Sequence, residues 1–400
     1  MNSCAGPSPG RFVRAPRNFC EAAFVLARVC RFGLWLLALS CFVSGERLAV
    51  CETEGTVSET IRQHEYDLST QGRVFLLKEA GSASFFMLGE LHGEKEIPAL
   101  LRMIWPPMWQ AGYRHIAAEL SPWAANRLEF RPPGASEPIR GLWSQAEATF
   151  AASFNRGRGA VLWGCDIEEA QPNLPIRDLA AANPGNRNLQ SALEMTRLGY
   201  RRSMARELLQ RLREATGVKD LFAGGVSLRS NILRTLEIEI ARLGADTRLE
   251  ASIRREALMK ELFYRHWQSS PQPKVLLRFG RNHLHRGYDR RGVSTLGNFV
   301  AELAVARGLQ AFNVAAFAAG GRIYWSGQLL EADERKDDPA LEFLASLAQY
   351  PATVFDLRPI RQALHRIPEI QRSLLEASLV YWADSYDAIL CYREVTPIPH

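Results

Sequence analysis

Four segments of this chain end an apolar run on residues that can carry a proton or a charge. GELHG (Gly89–Gly93) closes the run SFFML with Glu90 and His92. HIAAEL (His115–Leu120) brings in Glu119, followed by Ser121 and Pro122. AVLWGCD (Ala160–Asp166) ends on Asp166, with Glu168 and Glu169 after it. KVLLRFG (Lys274–Gly280) runs into Arg281, Asn282, His283 and His285. An imidazole beside a carboxylate suits a general base that activates water, because histidine titrates near neutral pH and a carboxylate orients it. Glu90, His92 and His283 are also the residue types that hold a divalent metal, and the spacing does not separate the two readings. HExxH and GxSxG are absent, as is a glycine-rich phosphate loop. His64, His115, His266, His365 and His400 lack this context and read as structural or exposed.

The runs before these residues must position them. Val74–Ala80, Ser84–Glu90, His115–Leu120, Ala160–Asp166, Lys274–Gly280, Gln310–Phe317 and Tyr386–Glu394 are short and apolar without alternation. Such runs predict strands covered on both faces. Helical patterns lie between several of them, for example Ile97–Gly112, where Pro106 and Pro107 predict a break or kink. Alternating strands and helices predict an α/β fold with a mainly parallel central sheet flanked by helices. The arginine-rich stretch over about residues 188–270 reads as a helical insertion. In an open parallel sheet, ligands bind beyond the carboxyl ends of the strands. All four chemistry-bearing segments fall there. A charge that directly follows an apolar run is costly unless paired, so Glu90 and Glu119 read as site carboxylates.

With 47% hydrophobic and 23% charged residues, the composition is globular. The net charge of +6 is concentrated at the start: residues 1–45 hold five arginines against Glu21. No basic face with aromatic platforms follows, which argues against nucleic acid. Residues 1–50 read as a signal peptide or N-terminal membrane-targeting segment, with Phe32–Gly45 as its apolar core. Residues 51–400 then form one exported domain, periplasmic or membrane-anchored facing the periplasm of a bacterial cell. Membrane contact is expected only through that segment if it stays uncleaved. Of seven cysteines, only Cys165 and Cys391 lie beyond Cys51. They read as two isolated core thiols rather than a disulfide framework.

At these residues the chain resembles the erythromycin esterase-like family. That family is part of a wider group with TraB/TIKI-type proteases and haem-uptake lipoproteins. GELHG resembles its opening Gly-Glu-x-x-His-Gly, one residue shorter between Glu and His. Glu119, the ending Gly164–Asp166, and Gly280–His283 match its later strand ends, and the closing YDAILCYREVTP resembles its last strand. Arg255–Met259 resembles its Arg-Glu-x-x-Met, without the asparagine expected soon after. Arg281 stands where the family's late motif commonly has an imidazole. The resemblance spans roughly residues 70–395 with a large gap in the middle. It implies a hydrolase of a small-molecule ester, lactone or related acyl bond. His92 would be the base, Glu119 and His283 would assist, and Glu90 would support them. Asp166, Arg281 and His285, on the same rim, are assigned to substrate binding. Two alternatives stay open. One is a metal-dependent TIKI-type peptidase with Glu90, His92 and His283 as ligands. The other is a non-enzymatic exported protein binding haem or another ligand, with Tyr200, Tyr264 and Tyr288 as conceivable haem ligands.

Overall fold

Apolar runs without alternation become the inner strands of an eight-stranded sheet. The computed structural model describes residues 57–130, 161–168, 173–271, 273–325 and 327–398. The expected targeting segment lies outside them. The chain divides into two units, Met1–Val57 and Ser58–His400, and the second carries everything below. Among the described residues, no helix is long and apolar enough to cross a membrane.

In chain order the elements open with β1 (Glu65–Asp67), α1 (Arg73–Ser82), β2 (Phe85–Glu90), α2 (Glu96–Gln110), β3 (Tyr113–Ala118), α3 (Pro122–Phe130) and β4 (Leu162–Gly164). A helical stretch follows: α4 (Asn173–Ala181), α5 (Arg187–Met195), α6 (Ala205–Glu214), α7 (Leu228–Ala241) and α8 (Arg248–Gln268). A small hairpin, β5 (Phe222–Ala223) and β6 (Val226–Ser227), interrupts it. The chain returns to the sheet with β7 (Lys274–Gly280), α9 (Leu296–Ala306) and β8 (Ala311–Ala318). It ends with a second hairpin, β9 (Arg322–Trp325) and β10 (Gln328–Glu331), then α10 (Pro339–Leu347), β11 (Ala352–Asp356), α11 (Arg358–His365), α12 (Leu374–Ser385) and β12 (Ala388–Tyr392).

The sheet order is β1-β11-β12-β8-β2-β7-β3-β4. From β12 to β4 every pair is parallel, while β11 runs antiparallel to both β12 and β1. The α/β architecture expected from the alternating runs is therefore present. Both faces are covered. Phe86 and Leu88 of β2 join one core cluster with α1 and α2, and Phe85 and Met87 join the other with α8 and α9.

The helix α8 shows how packing sets the site. Leu258, Met259, Leu262, Phe263 and Trp267 recur at helical spacing and are buried against the sheet. Phe263 and Trp267 pack on Phe85, where β2 begins. The helix thus runs opposite to the parallel strands. Its earlier turn, with Arg255 and Glu256, reaches the strands' carboxyl ends.

Two local expectations fail. Val74–Ala80 is helix α1 rather than a strand: Leu76 and Ala80, four apart, are buried, while Val74 is exposed. A seven-residue apolar run has too few repeats to distinguish the two periods. Pro106 and Pro107 do not break α2, which continues through both to Gln110. The buried stripe Ile97, Leu100, Leu101, Ile104, Trp105 and Met108 compensates for the two backbone bonds that the prolines cannot donate. Cys165 and Cys391 are buried and free, as expected of core thiols.

Phe85→Ala removes a fully buried ring from between the sheet and α8. It should cost about 3–5 kcal/mol, read as a lower urea midpoint with an unchanged slope. A change under about 1 kcal/mol would show that this face is not close-packed.

Candidate active site

Strand register brings the reactive residues level. Glu90 lies opposite Gly280, and Ala118, just before Glu119, lies opposite both Arg278 and Gly164. Four strand ends, those of β2, β3, β4 and β7, and one turn of α8 therefore meet at one rim.

Glu119 is the hub. Its Oε2 accepts from the Gly280 amide at 2.7 Å and lies 3.8 Å from His92 Nε2. Its Oε1 accepts from Arg255 Nη2 at 2.8 Å and lies 3.4 Å from His283 Nε2. Burial by itself would raise this carboxyl. The charges of His283, Arg255 and His92 outweigh it and hold the group well below the usual carboxylate range.

His283 is clamped from both sides. Glu256 Oε1 lies 2.5 Å from its Nδ1, and Glu256 Oε2 accepts from the Leu296 amide at the start of α9 at 2.8 Å. Burial alone would push the imidazole down. Glu119 and Glu256 together raise it to about 10, so it is an imidazolium at neutral pH.

His92 differs. Its Nδ1 sits 3.2 Å from Glu90 Oε1 but out of line for a hydrogen bond, and 21% of the side chain is exposed. It is the more open of the two imidazoles. Glu90 is fixed from behind by Arg278, whose Nε donates to Oε2 at 2.7 Å with both side chains buried. Asp166 accepts from Arg255 Nε at 2.9 Å and also pairs with its Nη2. Glu94 and Glu168 are buried nearby. Burial and neighbouring carboxylates push Glu94 well above its ordinary value and Glu168 to about 8, so Glu168 is mainly neutral at pH 7.

Gly280 must lack a side chain for reasons of space. A Cβ there would lie 2.6 Å from His92 Nε2 and 3.2 Å from Glu119 Oε2. Its backbone angles, φ −52° and ψ 135°, suit any residue.

Of the residues singled out in the sequence, Glu90, His92, Glu119, Asp166 and His283 come together. Arg281 and His285 do not. The 3-10 turn Arg281–His283 sends the Arg281 guanidinium the other way, to Glu334 and the Ala316 carbonyl. There it lines a separate cavity of about 100 Å3 with Arg290, Asp338, Tyr381 and Trp382. His285 is buried, with Nε2 2.5 Å from Ser385 Oγ and its ring against Tyr381. The residues without an assigned role are Arg255 and Glu256. Their only sequence signal was the Arg-Glu-x-x-Met pattern, because helical spacing alone does not say which helix end faces a site.

The metal alternative fits poorly. Among the described residues, no group of three or more His, Cys, Asp or Glu side chains is disposed to hold a metal ion. Glu90 is occupied by Arg278, and His283 Nδ1 by Glu256. The conceivable haem ligands are scattered: Tyr264 packs on Trp267 and Phe299, and Tyr288 is exposed.

The mainly parallel sheet with helices on both faces is an α/β fold, similar in fold to a solved erythromycin esterase. No family model and no curated relative matches the sequence. Among solved structures, a protein from Bacillus cereus aligns with TM-score 0.56 and 13% identity over 86% of this chain and 99% of its own. A succinoglycan biosynthesis protein aligns with TM-score 0.56 and 13% identity over 86% and 97%. A histidine-to-asparagine mutant of the erythromycin esterase EreC, in its open conformation, aligns with TM-score 0.52 and 13% identity over 82% and 95%. At this identity the likeness is one of fold.

The raised His283 value has a thermodynamic consequence. The stability that its ion pairs contribute is complete below the unfolded value of about 6.5 and is lost as pH rises through about 10. Glu119→Gln should flatten the fall in stability between those limits. It should also bring the His283 titration toward neutral pH in a nitrogen-detected NMR experiment. A His283 that already titrates near pH 6.5 in the unaltered protein would contradict the buried ion pairs.

Proposed function

We propose that this protein is a hydrolase that cleaves an ester, lactone or related acyl bond through water activated by His92. The observation that carries this reading is Glu119 shared between two unlike imidazoles, one a buried imidazolium and one open to solvent. Charge balance at the rim supports it. Glu90, Glu119, Asp166 and Glu256 face two guanidiniums and one imidazolium. The surplus negative charge favours a proton acceptor that becomes positive as the reaction proceeds.

His92 takes a proton from water, and the resulting hydroxide attacks the acyl carbon. Glu119 and Glu90 flank the imidazole and stabilise its positive charge. The tetrahedral oxyanion is stabilised by the His283 imidazolium, whose charge Glu256 and Glu119 hold in place. His92 then returns its proton to the leaving oxygen as the acyl bond breaks. Asp166 acts through Arg255, which keeps Glu119 aimed at the histidines. The basic, apolar N-terminus supports an exported site of action.

The test is hydrolysis of a panel of esters, lactones and short peptides, with and without chelator. His92→Ala and Glu119→Gln should each lower kcat on the cleaved substrate by about 10²-fold or more, with circular dichroism unchanged. Full activity in His92→Ala would remove its role as base. Chelator-sensitive peptide cleavage would replace this mechanism with a metallopeptidase. Gly280→Ala should lose activity while staying folded, since its methyl displaces His92; undiminished activity would show that the His92–Glu119 pairing is not needed.

A further inference from the structure

The hairpin β9–β10 stands outside the main sheet, yet it is fastened beside His92. The Tyr324 amide donates to the Gly93 carbonyl at 2.9 Å, and the Arg322 amide to the Val395 carbonyl at 3.0 Å. Gly93 has φ +90°, and a Cβ there would lie 2.2 Å from the Tyr324 carbonyl oxygen. Backbone contacts therefore place the next residue, Trp325. Its ring stacks on His92 with centroids 5.2 Å apart and planes within 16°.

Trp325 covers one face of the proposed base, yet the residue remains 43% exposed. The pairing register puts Leu330 opposite Ile323 and Gln328 opposite Trp325. Side chains alternate along a strand, so Ile323, Trp325, Gln328 and Leu330 share one face. Ile323 packs against the core, and Leu330 is 38% exposed. The charged residues of the hairpin, Arg322 and Glu331, share the opposite face and pair at 3.1 Å. The face beside the base is thus uncharged and largely apolar.

We infer that Trp325 and Leu330 form a binding platform for an apolar part of the substrate, a hydrocarbon chain or ring next to the bond that His92 attacks. The inference rests on the hydrolase reading and adds the substrate class: neutral acyl compounds with a sizeable apolar portion. An indole left open to water gains contact area when such a group is laid against it, and the stack on His92 fixes that group's distance from the base.

The test compares 4-nitrophenyl acetate and octanoate with the unaltered protein, Trp325→Ala and Trp325→Phe. Calorimetric binding of octanamide and acetamide accompanies it. The octanoate-to-acetate ratio of kcat/KM should fall about tenfold in Trp325→Ala. The loss should arise in KM, and Trp325→Phe should retain most of the preference. Octanamide should bind the unaltered protein about tenfold more tightly than it binds Trp325→Ala. An equal fall on both esters, or an unchanged ratio, would overturn the platform and leave Trp325 as a support for the His92 ring. If the unaltered protein cleaves neither ester, the hydrolase reading fails for these substrates, and octanamide binding decides the platform alone. Equal binding to both forms would then overturn it, and weaker binding to Trp325→Ala would support it.

Discussion

A carboxylate kept from water needs compensation, and Glu119 draws most of the rim around itself to obtain it. Arg255, the Gly280 amide and two imidazoles all approach its two oxygens. Each compensating group is held in turn: Arg255 by Asp166, and His283 by Glu256. Removing a buried charge's partner costs several kcal/mol because the remaining charge stays desolvated. The network therefore resists piecemeal change. The same property gives the two histidines different characters. Two carboxylates outweigh burial and make His283 a fixed positive charge, whereas His92 is left with an open edge.

The Glu90–Arg278 pair does a quieter job behind this rim. It is buried beneath His92, within the sheet itself, since Arg278 belongs to β7 and Glu90 to β2. Adjacent parallel strands thus contribute opposite charges that need each other. A slip in their register would leave both unpaired in the core, so the ion pair and the hydrophobic faces specify the same alignment.

Much of the scaffold could be read in the sequence because doubly covered strands must be apolar at every position. That rule located β2, β7, β8 and β12 and put Glu90, Glu119, Asp166 and His283 at strand ends. It misread α1, whose run carries Val74 and Lys78 on an exposed side and is too short to show its period. It passed over β11, whose few residues Ala352–Asp356 follow directly on Pro351. Nor could it separate the neighbours Arg281, His283 and His285. Linear spacing places all three near the rim, but the 3-10 turn sends them to Glu334, Glu119 and Ser385 respectively. Arg255 and Glu256 were hidden for a different reason. Their position depends on the direction in which α8 crosses the sheet, a tertiary fact that no local pattern records.

The hub joins parts of the chain that are distant in sequence. Arg255 is 136 residues from Glu119 and 89 from Asp166, while Gly280 is 161 from Glu119. No contiguous fragment shorter than the span from β2 to α9 contains all the groups that neutralise one another. The site is therefore among the last features the chain can assemble: strand ends must align, and the inserted helices must dock, before its charges are balanced. The arrangement ties the balance of charge at the rim to completed folding, so no part of the chain neutralises the site by itself.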